Sequence, residues 1–488
     1  MYGAKLIWES AIDHFNEFMG ELVTSPIELV DKNTKISLKR ADDFTIQFEL
    51  KTSNLGITDT FFHGERKVGE VYSATQDIEL INDQRLTKVK LNNVLIDSRN
   101  TEISPYDPEK NTNYLNGQIG EITAEITERQ EDYSFDWLLN VSFDSHSRKN
   151  CGFRFHGDSI DFEYDVPQRD TLGLTKLDVR NCFKINIFDT NIIIGQLKNE
   201  KAHINDKYKP GFIFYTKVIA EEIKEKIREA LSFLFGRKLI FIGSSKFTLD
   251  AFLIGYKAVT PYLISDKIFS EPSSPPCDFF EMPEGHTIPI FKYLFIETFI
   301  TKFVEEYEDK NIEHIMWMYW HSFYAPIHSA SGSFGAIIEF ILSKVDIEKN
   351  LISKSIFTPF RKKVIEDFQT FYIESGIEDE DVNRIMISKI NDLNRLPIAK
   401  MTERSFQRLG VTISDFEKSL WQKRHDSAHG NITDGDIDSL IRGVHAFMSV
   451  CNRSILKFLD LSDNYIDYFN YDYPVKNIDE PLIDLEEA

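Results

Sequence analysis

The spacing of apolar residues changes once along this chain, and that change sets its fold class. Up to about residue 212 apolar and polar residues alternate, as in Thr45-Ile-Gln-Phe-Glu-Leu and Phe183-Lys-Ile-Asn-Ile-Phe, with Asn, Asp and Gly clusters between runs. A period of two puts every second side chain on one face, the pattern of a half-buried strand. Ile192-Ile-Ile-Gly adds a short run of the fully buried type. An antiparallel sheet is expected here, as a sandwich or open barrel. From about residue 289 the period becomes helical, with candidate helices at 290–308, 311–324, 327–345, 351–375, 380–393, 412–426 and 434–461. Pro326 should separate the second from the third.

Between these regions, residues 216–236 place Val218, Ile223, Ile227, Leu231 and Leu234 on one helical face. A strand pair follows, around Gly243-Ser-Ser, and then a stretch with Pro272, Pro275, Pro276 and Pro283 that reads as a boundary. The expected organisation is α+β and multidomain: a β-rich domain at 1–212, a connector at 213–288, an all-helical bundle at 289–462 and an acidic tail at 463–488.

A chain of 488 residues supports two or three such parts. No apolar run approaches the roughly 20 residues of a membrane span. The N-terminal residues show no basic segment leading into a long apolar core. Cys151, Cys182, Cys277 and Cys451 show no paired spacing, the pattern of reduced thiols. These features point to a cytoplasmic protein with no membrane partner.

A formal net charge of −22 excludes a general nucleic-acid coat. The charge is uneven, however. From Arg395 to Gly430 seven Lys or Arg face four acids, whereas the stretch from Asp460 onward carries nine acids and one lysine. A local basic strip on an acidic body suits a selective nuclease, and equally a protein–protein seam.

Inside that strip lies Arg424-His-Asp-Ser-Ala-His429-Gly. Arg424 is a permanent cation able to fork onto phosphate oxygens, and His429 moves a proton near neutral pH. Five residues of ideal helix rotate by roughly 500°, which would leave the two side chains about 140° apart. They share a site only if the helix ends or loosens between them, which Gly430 allows. The alternative is a solvated last turn answering the helix dipole.

This segment resembles the R-x4–6-H motif of HEPN-domain ribonucleases, and the C-terminal half resembles the ApeA-type HEPN proteins of bacterial abortive-infection systems. The upstream Phe334-Gly-Ala-Ile-Ile-Glu339-Phe is similar to a family helix whose apolar run ends in glutamate, and the β-rich first part is similar to the family's domain order. His425 departs from the asparagine or aspartate common at its position. The resemblance implies a metal-independent endoribonuclease acting in antiphage defence on RNA, with tRNA as the candidate substrate and no cofactor. His429 would be the general base or acid and Arg424 the phosphate clamp. His425 would orient the pair or carry the second proton, with Asp426 in support. Glu339 would hold Arg424 or His429, or is an ordinary surface acid. Lys423, Arg404, Arg408 and Lys418 are the candidate RNA contacts. A homodimer through the helical domain is implied, with the N-terminal sheet receiving a phage-derived trigger. The alternative is a non-catalytic HEPN module that binds RNA or protein.

Other signals carry less. Gly243-Ser-Ser lacks the following Asp-x-Asp of a nucleotidyltransferase. Asp434-Gly-Asp-Ile-Asp438 has a misplaced glycine and His445 at the twelfth calcium position. His314, His321 and His328 surround an aromatic cluster better explained as core or dimer seam than as metal ligands. The tyrosine-rich tail reads as a solvated end, or as a cover over the basic strip.

Overall fold

A computed structural model describes residues 11–18, 35–52, 76–82, 87–103, 105–107, 111–126, 129–142, 151–156, 159–164, 179–197, 208–250, 252–282, 284, 290–376, 379–428 and 437–484. The architecture is α+β: a large antiparallel sheet built from the first half and a helical region in the second. The chain divides into two compact units, one of residues 1–275 and 279–305, the other of 276–278 and 306–488.

Among the described residues the first unit holds a sheet of thirteen strands: β1 (Lys35–Arg40), β2 (Ile46–Thr52), β3 (Gln76–Asn82), β4 (Thr87–Glu102), β5 (Thr112–Glu125), β6 (Tyr133–Leu139), β7 (Cys151–His156), β8 (Ser159–Tyr164), β9 (Val179–Ile187), β10 (Thr190–Leu197), β11 (Gly211–Tyr215), β12 (Ile240–Phe247) and β13 (Leu253–Val259). Their order is β1-β2-β5-β13-β12-β6-β11-β10-β9-β7-β8, with β4 also on β5 and β3 beyond it. Alternation gives β2 one buried and one exposed face, residue by residue. β6 and β11 are buried along their whole length; β11 is apolar or aromatic apart from Gly211, whereas β6 sets Tyr133, Phe135, Trp137 and Leu139 on one face and the buried polar Ser134 and Asp136 on the other. The strand pair placed by sequence in a connector is central instead: β12 pairs with β6, and β13 pairs with β5.

Besides α1 (Ala11–Phe18), this unit carries α2 (Glu221–Leu234) and α3 (Tyr293–Glu305). Residues of α2 meet the sheet through charge as well as apolar contact. Arg228 pairs with Asp136 of β6, Tyr215 of β11 donates its hydroxyl to the same carboxylate at 3.0 Å, and Lys224 donates to Ser134 at 2.8 Å. Burial pushes the Asp136 carboxyl upward, and Arg228 and Lys224 oppose it. α3 packs on α2 and β9, with Phe299 and Phe303 each near Phe233. The helical run expected from residue 289 therefore contributes its first helix to the sheet unit.

The second unit contains α4 (Ile312–Phe323), α5 (Ile327–Lys344), α6 (Lys354–Glu374), α7 (Glu380–Asp392), α8 (Ile398–Leu409), α9 (Asp415–Ala428) and α10 (Ile437–Phe458). Pro326 stands at the start of α5 and ends the continuity with α4, as its ring requires. α5 is the organising helix, in contact with α4, α8, α9 and α10. Its buried face includes Phe334, Ile337, Ile338 and Ile341. α8 has no counterpart among the candidate helices. Pro397 precedes it and Gly410 closes it at φ +80°, the left-handed conformation glycine adopts without a Cβ clash.

The tail is part of this unit rather than a solvated end. Strands β16 (Asn464–Ile466) and β17 (Val475–Asn477) pair, and Tyr465, Ile478 and Leu482 are buried; β14 (Phe280–Glu281) and β15 (Ile290–Phe291) form a similar pair in the first unit. Cys277 and Cys451 are free and buried, whereas Cys182 is disulfide-bonded, so the expectation of four reduced thiols fails there. Among the described residues no helix is long and apolar enough to cross a membrane.

Candidate functional site

α9 carries the motif region, and its start is built by a reciprocal cap. Ser414 accepts from the Glu417 amide at 3.1 Å, and Glu417 accepts from the Ser414 amide at 2.8 Å. The Glu417 carboxylate also meets Arg453 of α10 at 3.1 Å and accepts from the Leu482 amide of the tail at 3.1 Å. Arg453 in turn donates to the carbonyls of Glu480 and Thr412. One buried ion pair thus fixes where α9 begins, where α10 passes and where the tail docks. The Ser414-x-x-Glu417 spacing encodes this cap locally, whereas nothing local encodes the arginine.

At the other end of α9, Lys423, Arg424, His425 and Asp426 lie on the helix, within its last described turns. Their side chains, and His429 with Gly430 entirely, lie outside the described residues. Glu339 is exposed on α5, which packs against α9. Arg404 and Arg408 are exposed on α8, also a neighbour of α5. The structure thus brings the helices of all these candidates into one contact group.

The strip is less cationic than its count implied. Lys400 pairs with Glu403 at 2.6 Å and Lys418 with Asp415 at 2.8 Å, all on exposed ground. The hydrogen bond from each lysine holds the Glu403 and Asp415 carboxyls below the usual carboxylate range, and Asp415 raises Lys418. Such exposed pairs are weak and exchange readily for a phosphate. Arg404 donates to the Glu348 carbonyl at 3.4 Å. Among the described residues Arg408 makes no ion pair or hydrogen bond, which leaves its guanidinium for a ligand.

Between α8, α9 and α10 lies a cavity of about 260 Å³ that the sequence did not reveal. Phe406, Trp421 and Phe447 line it, with Trp421 edge-on to Phe406 at 6.3 Å, and Lys400, Glu403 and Lys418 stand at its polar side. An aromatic wall beside lysines suits a flat apolar group attached to an anion. Among the described residues no three His, Cys, Asp or Glu side chains converge as metal ligands. His314 and His321 instead flank the ring of Trp317, which is exposed, while Tyr319 and Trp320 of the same helix enter the core.

No family model, curated protein or solved structure matches the chain.

Proposed function

We propose that this protein is a HEPN-type, metal-independent endoribonuclease of an antiphage abortive-infection system, with Arg424 and His429 as its catalytic pair. The observation that carries the reading is that Arg424 lies near the C-terminal end of α9, a helix packed on α5 and α10, and that α8, with the exposed Arg404 and Arg408, packs on the same α5. In the proposed reaction the RNA 2′-hydroxyl attacks the adjacent phosphorus as His429 takes its proton. The P–O5′ bond breaks, the 5′-oxygen leaves and is protonated, and a 2′,3′-cyclic phosphate remains. Arg424 holds the phosphate oxygens as their charge grows. DNA, without a 2′-hydroxyl, is not cleaved by this route. tRNA is the proposed substrate, and the N-terminal sheet the proposed receiver of a phage-derived trigger.

The aromatic cavity beside Trp421 favours a second reading, a non-catalytic HEPN module that binds RNA or protein. One experiment separates the two. Wild type, Arg424→Ala and His429→Ala are expressed with and without phage, each verified as folded by thermal melting, and total RNA ends are mapped. Fragments with cyclic-phosphate ends that vanish in both variants support catalysis. Intact RNA in every case, with protection unchanged by either substitution, removes it.

A further inference from the structure

The cavity between α8, α9 and α10 has two unlike ends. At the apolar end each helix supplies one ring: Phe406 from α8, Trp421 from α9 and Phe447 from α10. Trp421 stands 6.3 Å from Phe406, edge-on, and 6.5 Å from Phe447, tilted by 41°. Ring pairs in contact run from about 4.5 to 7 Å between centroids, so these rings meet near the outer limit and do not close on one another. Val450 of α10, buried like Phe406 and Phe447, lines the space with them. Protein interiors rarely keep voids larger than a water. A dry cavity of roughly 150 Å³ takes a benzene ring, and about 260 Å³ admits a ring with a second ring or a short arm attached.

The polar end is charged, and not all of that charge is open to a ligand. Glu417 is buried and already committed, its carboxylate held by Arg453 and by the amides of Ser414 and Leu482. Lys400 pairs with Glu403 at 2.6 Å, while Lys418 pairs at 2.8 Å with Asp415, which does not line the space. Lys400 and then Lys418 hold the Glu403 carboxyl below the usual carboxylate range, so charges from α8 and α9 share one mouth. With Glu417 neutralised by Arg453, two lysines face one glutamate across the lining, a net of +1.

We propose that this cavity binds a planar aromatic monocarboxylate, its ring among Phe406, Trp421 and Phe447 and its carboxylate on Lys400 and Lys418. A single negative charge matches the lining. A phosphate monoester, at about −1.5 to −2 near neutral pH, overshoots it, and an amine meets like charge. Exposed ion pairs exchange partners at little cost, which lets the lysines turn from Glu403 and Asp415 to the ligand. Burial of the ring supplies affinity and the placed charge supplies selectivity. The proposal stands apart from the ribonuclease reading, since it concerns binding between three helices and not cleavage at Arg424 and His429.

Calorimetric titration of the full chain with indole-3-acetate tests it. One equivalent should bind with a Kd of about 1 mM or tighter, the affinity that ordinary ligand efficiency gives a molecule of this size. Indole, which has the ring without the charge, should bind severalfold more weakly, and tryptamine, the same ring on a cation, about tenfold more weakly. Lys400→Gln and Lys418→Gln together should weaken indole-3-acetate by about tenfold. Glu403→Gln should tighten it severalfold, because the mouth becomes more positive. Val450→Phe puts a ring into the space and should abolish binding while circular dichroism shows the helices intact. Should that variant fail to fold, the three substitutions at the exposed mouth still decide the matter. No binding at several millimolar indole-3-acetate overturns the proposal and leaves the cavity to the RNA or protein of the second reading. Tryptamine binding as tightly as indole-3-acetate, or an affinity indifferent to the mouth substitutions, overturns it too.

Discussion

Arg453 and Glu417 stand 36 positions apart in sequence and 3.1 Å apart in space, with side chains 0% and 3% exposed. A buried pair of this kind matters most when it is broken, since the survivor keeps its charge and loses its partner. Glu417→Gln should cost about 3–5 kcal/mol in chemical denaturation, and the tail beyond residue 463 should become the first site of limited proteolysis. Replacing both with methionine should recover much of that loss. A cost below about 1 kcal/mol for Glu417→Gln would show that the pair is not held away from water. Deleting the tail to seek a gain in activity would therefore confound regulation with loss of this anchor.

In the sheet unit, Asp136 is fully buried and is held by both Arg228 and Tyr215. Arg228→Met leaves an uncompensated carboxylate and should cost about 3–5 kcal/mol. Tyr215→Phe removes one hydrogen bond to a charged acceptor, about 1.5–3 kcal/mol. The order of the two losses is the check: a larger effect for Tyr215→Phe would mean that the guanidinium is not the main counter-charge.

Burial holds His445 of α10 below the ordinary histidine range. The unfolded chain then binds a proton at a pH where the folded chain does not. Its contribution is full above about pH 6.5 and falls on acidification toward the folded value, by at most about 1.4 kcal/mol per pH unit. His445→Gln should flatten that limb in melting curves measured across the range. An unchanged slope would assign the acid sensitivity elsewhere.

On the RNA-binding reading, Arg408 contacts phosphate without giving up a partner, whereas Arg404 already has one. Arg408→Gln should weaken RNA binding uniformly across sequences and lower the salt slope by about 0.7–0.9. Measuring affinity over a salt series checks this. Weaker binding with no change in slope would mean that the arginine acts through packing and not through phosphate.

Much of the secondary structure was legible. The strand runs at 45–50 and 183–188 and most of the long helices of the second half lie close to where apolar periodicity set them. α8 escaped notice because it is short and polar, burying only Ser405 and Phe406, although Pro397 and Gly410 bracket it. The basic strip was readable as a count, but the ion pairs of Lys400 and Lys418 that temper it depend on helix phase. The cavity behind Trp421 was not readable at all, because three separate helices supply its walls.

What the sequence alone determined is the kind of each element, since a period of two or 3.6 follows from how one backbone turns its own side chains. What the tertiary structure decided is which elements meet. It put the β12–β13 pair at the middle of the sheet, sent α3 to the sheet unit and seated the acidic tail against Glu417 and Arg453. Those choices depend on apolar faces and buried charges finding complements tens or hundreds of residues away, and no local spacing encodes the partner.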